Sequence, residues 1–239
     1  MFQTFLDSLL SLTFPQACQI CENSVENYAD GVVCRGCWKR TRIFSGNEVL
    51  CAKCGAFLLE GKSVKTFCRL CDEHFYDRAK AVGIYEKALA AEVIELKKVP
   101  HLSRTLRELY YSAFENSDFH DADLLIPVPL SKKRRIERGF NQAEVLGKFL
   151  ERKTKIKCDN KTLARTNHTP MHRAAMDRKA REMTVEKAFE VTRPNLVEGK
   201  NIVLIDDVFT SGATVSACAE ILKKNGAVRV DVLTIARAV

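Results

Sequence analysis

A chain of 239 residues, 46% hydrophobic and 28% charged, has enough apolar material for one substantial core with a smaller module beside it. No stretch approaches the roughly 20 apolar residues of a membrane span, so no spanning helix is expected. The formal net charge of +8 favours an anionic partner, although many basic proteins have none.

In chain order, Phe2, Phe5, Leu6, Leu9 and Leu10 have helical spacing and predict a short amphipathic helix that packs on the next domain. Asp7 interrupts the run and no basic residue precedes it, which argues against a secretory signal.

Eight of the ten cysteines then form four Cys-x-x-Cys pairs: Cys18 with Cys21, Cys34 with Cys37, Cys51 with Cys54, and Cys68 with Cys71. Two thiolates three positions apart on a tight knuckle can face one tetrahedral Zn²⁺, and a second knuckle completes its ligands. Disulfides would need an oxidising compartment, and four redox motifs crowded into one short segment would be unusual. Structural zinc is therefore expected. Sequential pairing gives one site from Cys18, Cys21, Cys34 and Cys37 and another from Cys51, Cys54, Cys68 and Cys71; an interleaved arrangement has the same spacing. The segment is poor in apolar residues, so metal binding, worth about 10 to 16 kcal/mol in zinc-finger peptides, would supply much of its folding energy. His74 could replace one of these ligands but reads better as a surface residue, and Cys158 and Cys218 read as packing residues. Trp38, among Arg35, Lys39, Arg40 and Arg42, is either the core of this module or a stacking platform for bases.

Cysteine density falls after Tyr76, which divides the chain into residues 1–76 and 77–239. Ala81 to Tyr85 predicts a strand, and Ala88 to Lys98 and His101 to Phe114 predict two helices parted at Pro100. Leu124 to Val128 predicts a strand closed by Pro127 and Pro129. Leu130 to Gln142 follows as a basic loop, then a helix through Ala143, Leu146 and Leu150. A basic loop at the carboxyl end of a parallel strand lies on the ligand-binding edge of such a sheet. Lys132 and Arg138 are candidates to neutralise a pyrophosphate there; nucleic-acid phosphate and a plain solvated face are the alternatives.

Ile202 to Ile205 are continuously apolar, as in a parallel strand covered on both faces. Asp206 and Asp207 follow, and Thr210, Ser211, Gly212, Ala213 and Thr214 lead into the helical stripe Val215, Cys218, Ile221 and Leu222. Free N–H groups at a helix start can surround a phosphate, with Gly212 allowing close approach and the hydroxyls adding donors. The two carboxylates can accept hydrogen bonds from paired sugar hydroxyls. Together these halves fit a ribose 5-phosphate.

The run from Asn201 to Thr214 resembles the fingerprint of type I phosphoribosyltransferases. That resemblance implies an α/β fold with a parallel sheet flanked by helices. It assigns Asp206 and Asp207 to the ribose 2- and 3-hydroxyls of phosphoribosyl pyrophosphate (PRPP), bound with Mg²⁺, and Thr210 to Thr214 to its 5-phosphate. With Pro127-Val-Pro129, Arg138-Gly-Phe-Asn-Gln142 and the preceding zinc-ribbon cysteines, almost the whole chain resembles the ComF family of competence proteins, close to the ComFC type. Leu96-Lys97 matches a lysine the family tends to carry. Between Asn167 and Phe189 the pattern departs: Thr169, Arg181 and Phe189 fit, but His172 or Arg173 stands near the family's Gln position and Thr184 near its Asn position. This charged stretch is expected to be a loop that closes over the ligand. The resemblance implies a cytoplasmic DNA-uptake protein, with attachment at the inner face of the membrane left open. It would handle imported single-stranded DNA beside a helicase-like partner and the inner-membrane channel. An active phosphoribosyltransferase with a nitrogen acceptor, and an interaction protein with a relic site, are the other readings.

Overall fold

The computed structural model describes residues 16–58, 66–166 and 188–238. The expected N-terminal helix and the readings for Thr169, His172, Arg173, Arg181 and Thr184 lie outside the described residues.

The cysteine-rich part has little regular structure. Its first half holds one isolated bridge between Ala17 and Ser24 and the short helix α1 (Arg35–Lys39); its second holds a bridge between Leu50 and Phe57 and a 3₁₀ turn at Arg69–Glu73. Trp38 is 8% exposed and packs with Val25, Val33 and Cys37, so it is core rather than a stacking platform.

The remainder is built on strands β1 (Arg78–Ile84), β2 (Leu124–Pro127), β3 (Lys157–Cys158), β6 (Asn201–Phe209) and β7 (Arg229–Arg237). They form one parallel sheet in the order β1-β7-β6-β2-β3. The short strands β4 (Leu163–Arg165) and β5 (Phe189–Val191) pair antiparallel outside it. One face carries helices α2 (Lys87–Leu96), α3 (Arg104–Glu115) and α5 (Gln142–Thr154), with Leu89, Leu106, Tyr110 and Leu146 packed on Val203 and Ile205. The other carries α6 (Ala213–Lys224), whose Val215, Cys218 and Leu222 pack with Ile202, Leu204 and Val232. Both faces are covered, which explains the continuously apolar strands.

The cysteine-rich part is fastened to this sheet. Phe44 N–H donates to Val82 (2.9 Å) and Ile84 N–H to Arg42 (3.0 Å), so the chain between the two cysteine sets covers the edge of β1. A Cβ at Gly83 would lie 2.2 Å from the Arg42 carbonyl oxygen, and only glycine admits that approach.

The reading of the basic segment needs correction. Lys132–Arg138 is helix α4, not a loop: Ser131 Oγ caps it from Arg134 N–H (3.3 Å), and Gly139 closes it at φ 75°. The serine cap, the good helix formers and the closing glycine specify the helix, whatever the charge of the segment. β7 is an interior strand of the sheet, buried from Val230 to Arg237. Among the described residues no helix is long and apolar enough to cross a membrane.

Candidate functional site

β2 and β6 are neighbours, with Pro127 in register with Ile205. From β2 the chain continues through α5 to β3 on one side, and from β6 through α6 to β7 on the other. Such a switch leaves a crevice at the carboxyl ends of the two strands, where open α/β sheets bind ligands.

Asp206 and Asp207 stand at that end of β6, in its last turn of pairing before Thr210. Asp207 N–H donates to Asp206 Oδ1 (2.9 Å), and Val208 N–H to Asp207 Oδ1 (2.8 Å). Asp207 Oδ2 accepts from Gln142 Nε2 (3.1 Å) and lies 3.4 Å from Lys97 Nζ. Burial, and then the neighbouring Asp207 carboxylate, push the Asp206 carboxyl up to about 8. The pair thus combines one carboxyl that resists ionisation with one held by a cation and an amide.

The string Arg138 to Gln142 divides its tasks. Asn141 is structural: its Oδ1 accepts from Ala143 N–H (3.1 Å) at the start of α5, and its Nδ2 donates to Val128 O (3.0 Å), tying α5 to the end of β2. Gln142, 4% exposed, turns to Asp207, and its Oε1 has no partner among the described residues. A buried carbonyl left without a donor is rare and marks a place for a hydroxyl or water. Lys132 is exposed and Arg138 half-buried, and neither pairs with the aspartates.

Beyond β6, Thr210, Ser211, Ala213 and Thr214 are exposed around the buried Gly212, which caps α6 at φ 80°. Among the described residues no side chain caps this helix, and only the long Ala213 N–H to Ser211 Oγ contact (3.4 Å) touches its first N–H groups. An uncapped helix start beside hydroxyls is a ready anion cradle.

His74 was read as a surface residue, but it is half-buried against this cradle. A Cβ at Gly212 would lie 2.7 Å from Phe209 Cζ and 3.2 Å from His74 Cε1. Burial, and next the Lys53 ammonium, hold the His74 imidazole below its usual range. Sequence spacing gave no signal for its position, because the contact joins residues far apart in the chain.

The eight paired cysteines gather in two sequential sets, Cys18, Cys21, Cys34, Cys37 and Cys51, Cys54, Cys68, Cys71, with the sulfurs of each set within 4.8 Å of one another. The interleaved alternative is thereby excluded. Cys21 and Cys34 sulfurs lie 3.6 Å apart, Cys51 and Cys71 3.5 Å, and Cys54 and Cys68 3.6 Å. A disulfide needs about 2.05 Å, whereas the edges of a tetrahedral zinc–thiolate site with bonds of about 2.3 Å are near 3.8 Å. Main-chain N–H groups of Cys34 and Cys68 reach Cys18 Sγ (3.4 Å) and Cys51 Sγ (3.2 Å), and Arg40 Nη2 reaches Cys37 Sγ (3.3 Å). Such donors offset the charge of four thiolates. Both sets are structural zinc sites.

A double zinc ribbon domain matches residues 9–76, and a phosphoribosyl transferase domain matches residues 157–238. The chain is 29% identical to DNA utilization protein YhgH of Escherichia coli K12 over 95% of its length and 99% of the relative's. It is 29% identical to competence protein F of Haemophilus influenzae (92% and 96% covered) and 29% identical to competence protein ComFC of Bacillus subtilis (87% and 85% covered). Among solved structures, an allosteric regulatory enzyme of purine biosynthesis overlaps 54% of this chain and 25% of its own, at 21% identity and a TM-score of 0.38. The glutamine PRPP amidotransferase of B. subtilis does so at 20% identity and 0.39, over the same shares. These two overlaps are too loose to carry argument. The two domain matches and the near full-length relatives agree with the sheet and the paired cysteine sets: the chain joins a double zinc ribbon to a phosphoribosyltransferase-type domain and is similar over most of its length to competence protein F and ComFC.

Proposed function

We propose that this protein binds PRPP with Mg²⁺ at the carboxyl end of β6 and serves DNA uptake by handling imported single-stranded DNA. The observation that carries the reading is the direct succession of Asp206 and Asp207, left-handed Gly212 and the uncapped start of α6. The aspartates accept hydrogen bonds from the ribose hydroxyls. The N–H groups and hydroxyls from Thr210 to Thr214 receive the 5-phosphate, while Lys97 and Gln142 position Asp207. Mg²⁺ would neutralise the pyrophosphate, with Lys132 and Arg138 as the nearby basic groups. In this reading residues 1–76 and 77–239 are separate functional units, and the basic surface takes the strand. The names of the relatives, which speak of DNA utilization and competence, support the role in uptake. The same site could move phosphoribosyl to a nitrogen acceptor, and turnover is the measure of that.

Calorimetric titration of Mg²⁺–PRPP into the wild type and into D206N/D207N tests the site. Binding that the double variant loses is expected; equal affinity in both would remove the assignment. Affinity for single-stranded DNA should fall steeply with salt, and a flat response would remove the electrostatic part.

A further inference from the structure

The second zinc ribbon ends against the phosphate cradle. His74 follows Cys71 by three residues, and its main-chain N–H donates to Cys71 O (3.2 Å), so the last zinc-ligand knuckle fixes where it stands. Lys53 Nζ, next to Cys54, donates to His74 O (2.7 Å). Phe75 N–H donates to the buried Ser216 Oγ (3.1 Å) in the first turns of α6. Residues 53 and 74–75 thus grip the loop that leads from β6 into α6. His74 also stacks on Tyr76, with ring centroids 5.1 Å apart, and Tyr76 meets the Phe209 ring edge-on at 5.8 Å.

The imidazole is polarised by this setting. Tyr76 is fully buried, and its hydroxyl lies 2.7 Å from His74 Nδ1. A buried phenol must place its proton on an acceptor, so Tyr76 donates, Nδ1 accepts, and the imidazole hydrogen sits on Nε2. Cε1, which joins the two ring nitrogens, would lie 3.2 Å from a Cβ built at Gly212, so the ring edge faces the open side of that glycine. Nε2 is one bond further on and has no partner among the described residues. Nε2 is not among the buried atoms that lack a partner, so it is accessible, and an accessible N–H donor beside an anion cradle can take an anionic oxygen in place of water.

We propose that His74 is a ligand-binding residue of the sugar-phosphate site, its Nε2–H donating to the 5-phosphate held at Gly212. This rests on the PRPP reading above and extends it: the cradle is completed by the zinc ribbon, so the second zinc site holds a ligand contact in place. The class of ligand follows as a phosphate monoester on a ribose, met by helix N–H groups on one side and a neutral imidazole donor on the other.

The test uses the full chain labelled with ¹⁵N-histidine. Saturating Mg²⁺–PRPP should shift the Nε2 resonance of His74 and leave its Nδ1 in place. H74A should weaken PRPP roughly 10- to 100-fold, the scale of a hydrogen bond to a charged group. It should move the ³¹P resonance of the bound 5-phosphate alone, while H74Q, whose amide can reach the same oxygen, recovers part of the affinity. A silent Nε2 in a wild type that binds PRPP, or H74A binding as tightly as wild type, overturns this inference and leaves the PRPP assignment standing. A wild type that does not bind PRPP at all overturns both.

Discussion

The guanidinium of Arg237, at the end of β7, donates through Nη1 to the main-chain carbonyl of Cys54 and lies 4.7 Å from the centre of the Phe209 ring. One side chain therefore joins a zinc-ligand residue, the last residue of β6 and the strand paired with it. R237A leaves a buried carbonyl unsatisfied and removes the cation from the ring. A loss of about 2 to 4 kcal/mol is expected on those two counts. Zinc release to a chelator should become faster for the second cysteine set and stay unchanged for the first, whose ligands Arg237 does not touch. Uniform acceleration of both sets would mean that the damage is global and that this link is not specific.

Gly212 and Gly199 form a matched pair for testing the loop. Both have positive φ, 80° and 70°, but a Cβ at Gly199 meets nothing within 4 Å, whereas at Gly212 it meets Phe209 and His74. G199A should cost about 1 kcal/mol from backbone strain alone and leave PRPP affinity unchanged. G212A carries the same strain and in addition displaces two aromatic rings from the cradle, so it should lose PRPP binding and destabilise the fold further. Denaturant unfolding and calorimetry on the two variants separate strain from site geometry.

What could be read from the chain beforehand follows a physical divide. The β6 run and the cysteine pairs were legible because their signals are local: an apolar strand, two acids and a hydroxyl loop in succession, and ligands at knuckle spacing. The pairing of knuckles was not legible, since spacing is identical in both arrangements and only the three-dimensional path decides. β7 carries a local signal of the same kind, an apolar run at Val230, Val232, Leu233 and Ile235. α4 was misread because charge was weighed and the caps Ser131 and Gly139 were not. His74 was beyond reach, because it meets Gly212 only through the docking of the ribbon on the sheet.

Two carboxyls set the expected pH response. Burial first, then Asp207, raise Asp206 to about 8, and burial first raises Glu92, 4% exposed, to about 7. In both cases the folded state holds a proton that the unfolded chain releases near pH 4, so more protons are bound folded than unfolded across that window. The stabilisation is complete below about pH 4 and is lost as pH rises through the folded values. Melting temperature should therefore fall from pH 5 to pH 8. E92Q, which cannot ionise, should remove up to about 3 kcal/mol of this decline, levelling off above pH 7. D206N should remove a further part that continues to about pH 8. PRPP affinity should move the other way, rising with pH in the wild type as Asp206 becomes able to accept two hydroxyl hydrogens. A melting temperature that climbs between pH 5 and 8 in the wild type, or equal slopes in E92Q and D206N, would contradict these assignments.

Lys97, just past the end of α2, and Gln142, at the start of α5, reach the same oxygen of Asp207, and their removal should be felt differently. The Lys97 ion pair is about a third exposed at the lysine, so its contribution to stability is small, about 1 kcal/mol or less. Its larger effect is electrostatic: it cancels one negative charge at the mouth of the proposed anion site. K97M should leave unfolding almost unchanged and weaken Mg²⁺–PRPP binding, most strongly at low salt where the uncancelled carboxylate is least screened. K97R should retain most of the affinity. Q142E instead places a buried carboxylate 3 Å or so from Asp207, which like-charge repulsion and desolvation both disfavour. It should cost about 1 to 3 kcal/mol of stability, the scale of a buried polar group left without its partner, and raise the pH at which the site ionises. If K97M proves as destabilising as Q142E, the lysine is a packing element, and the electrostatic role given to it here is wrong.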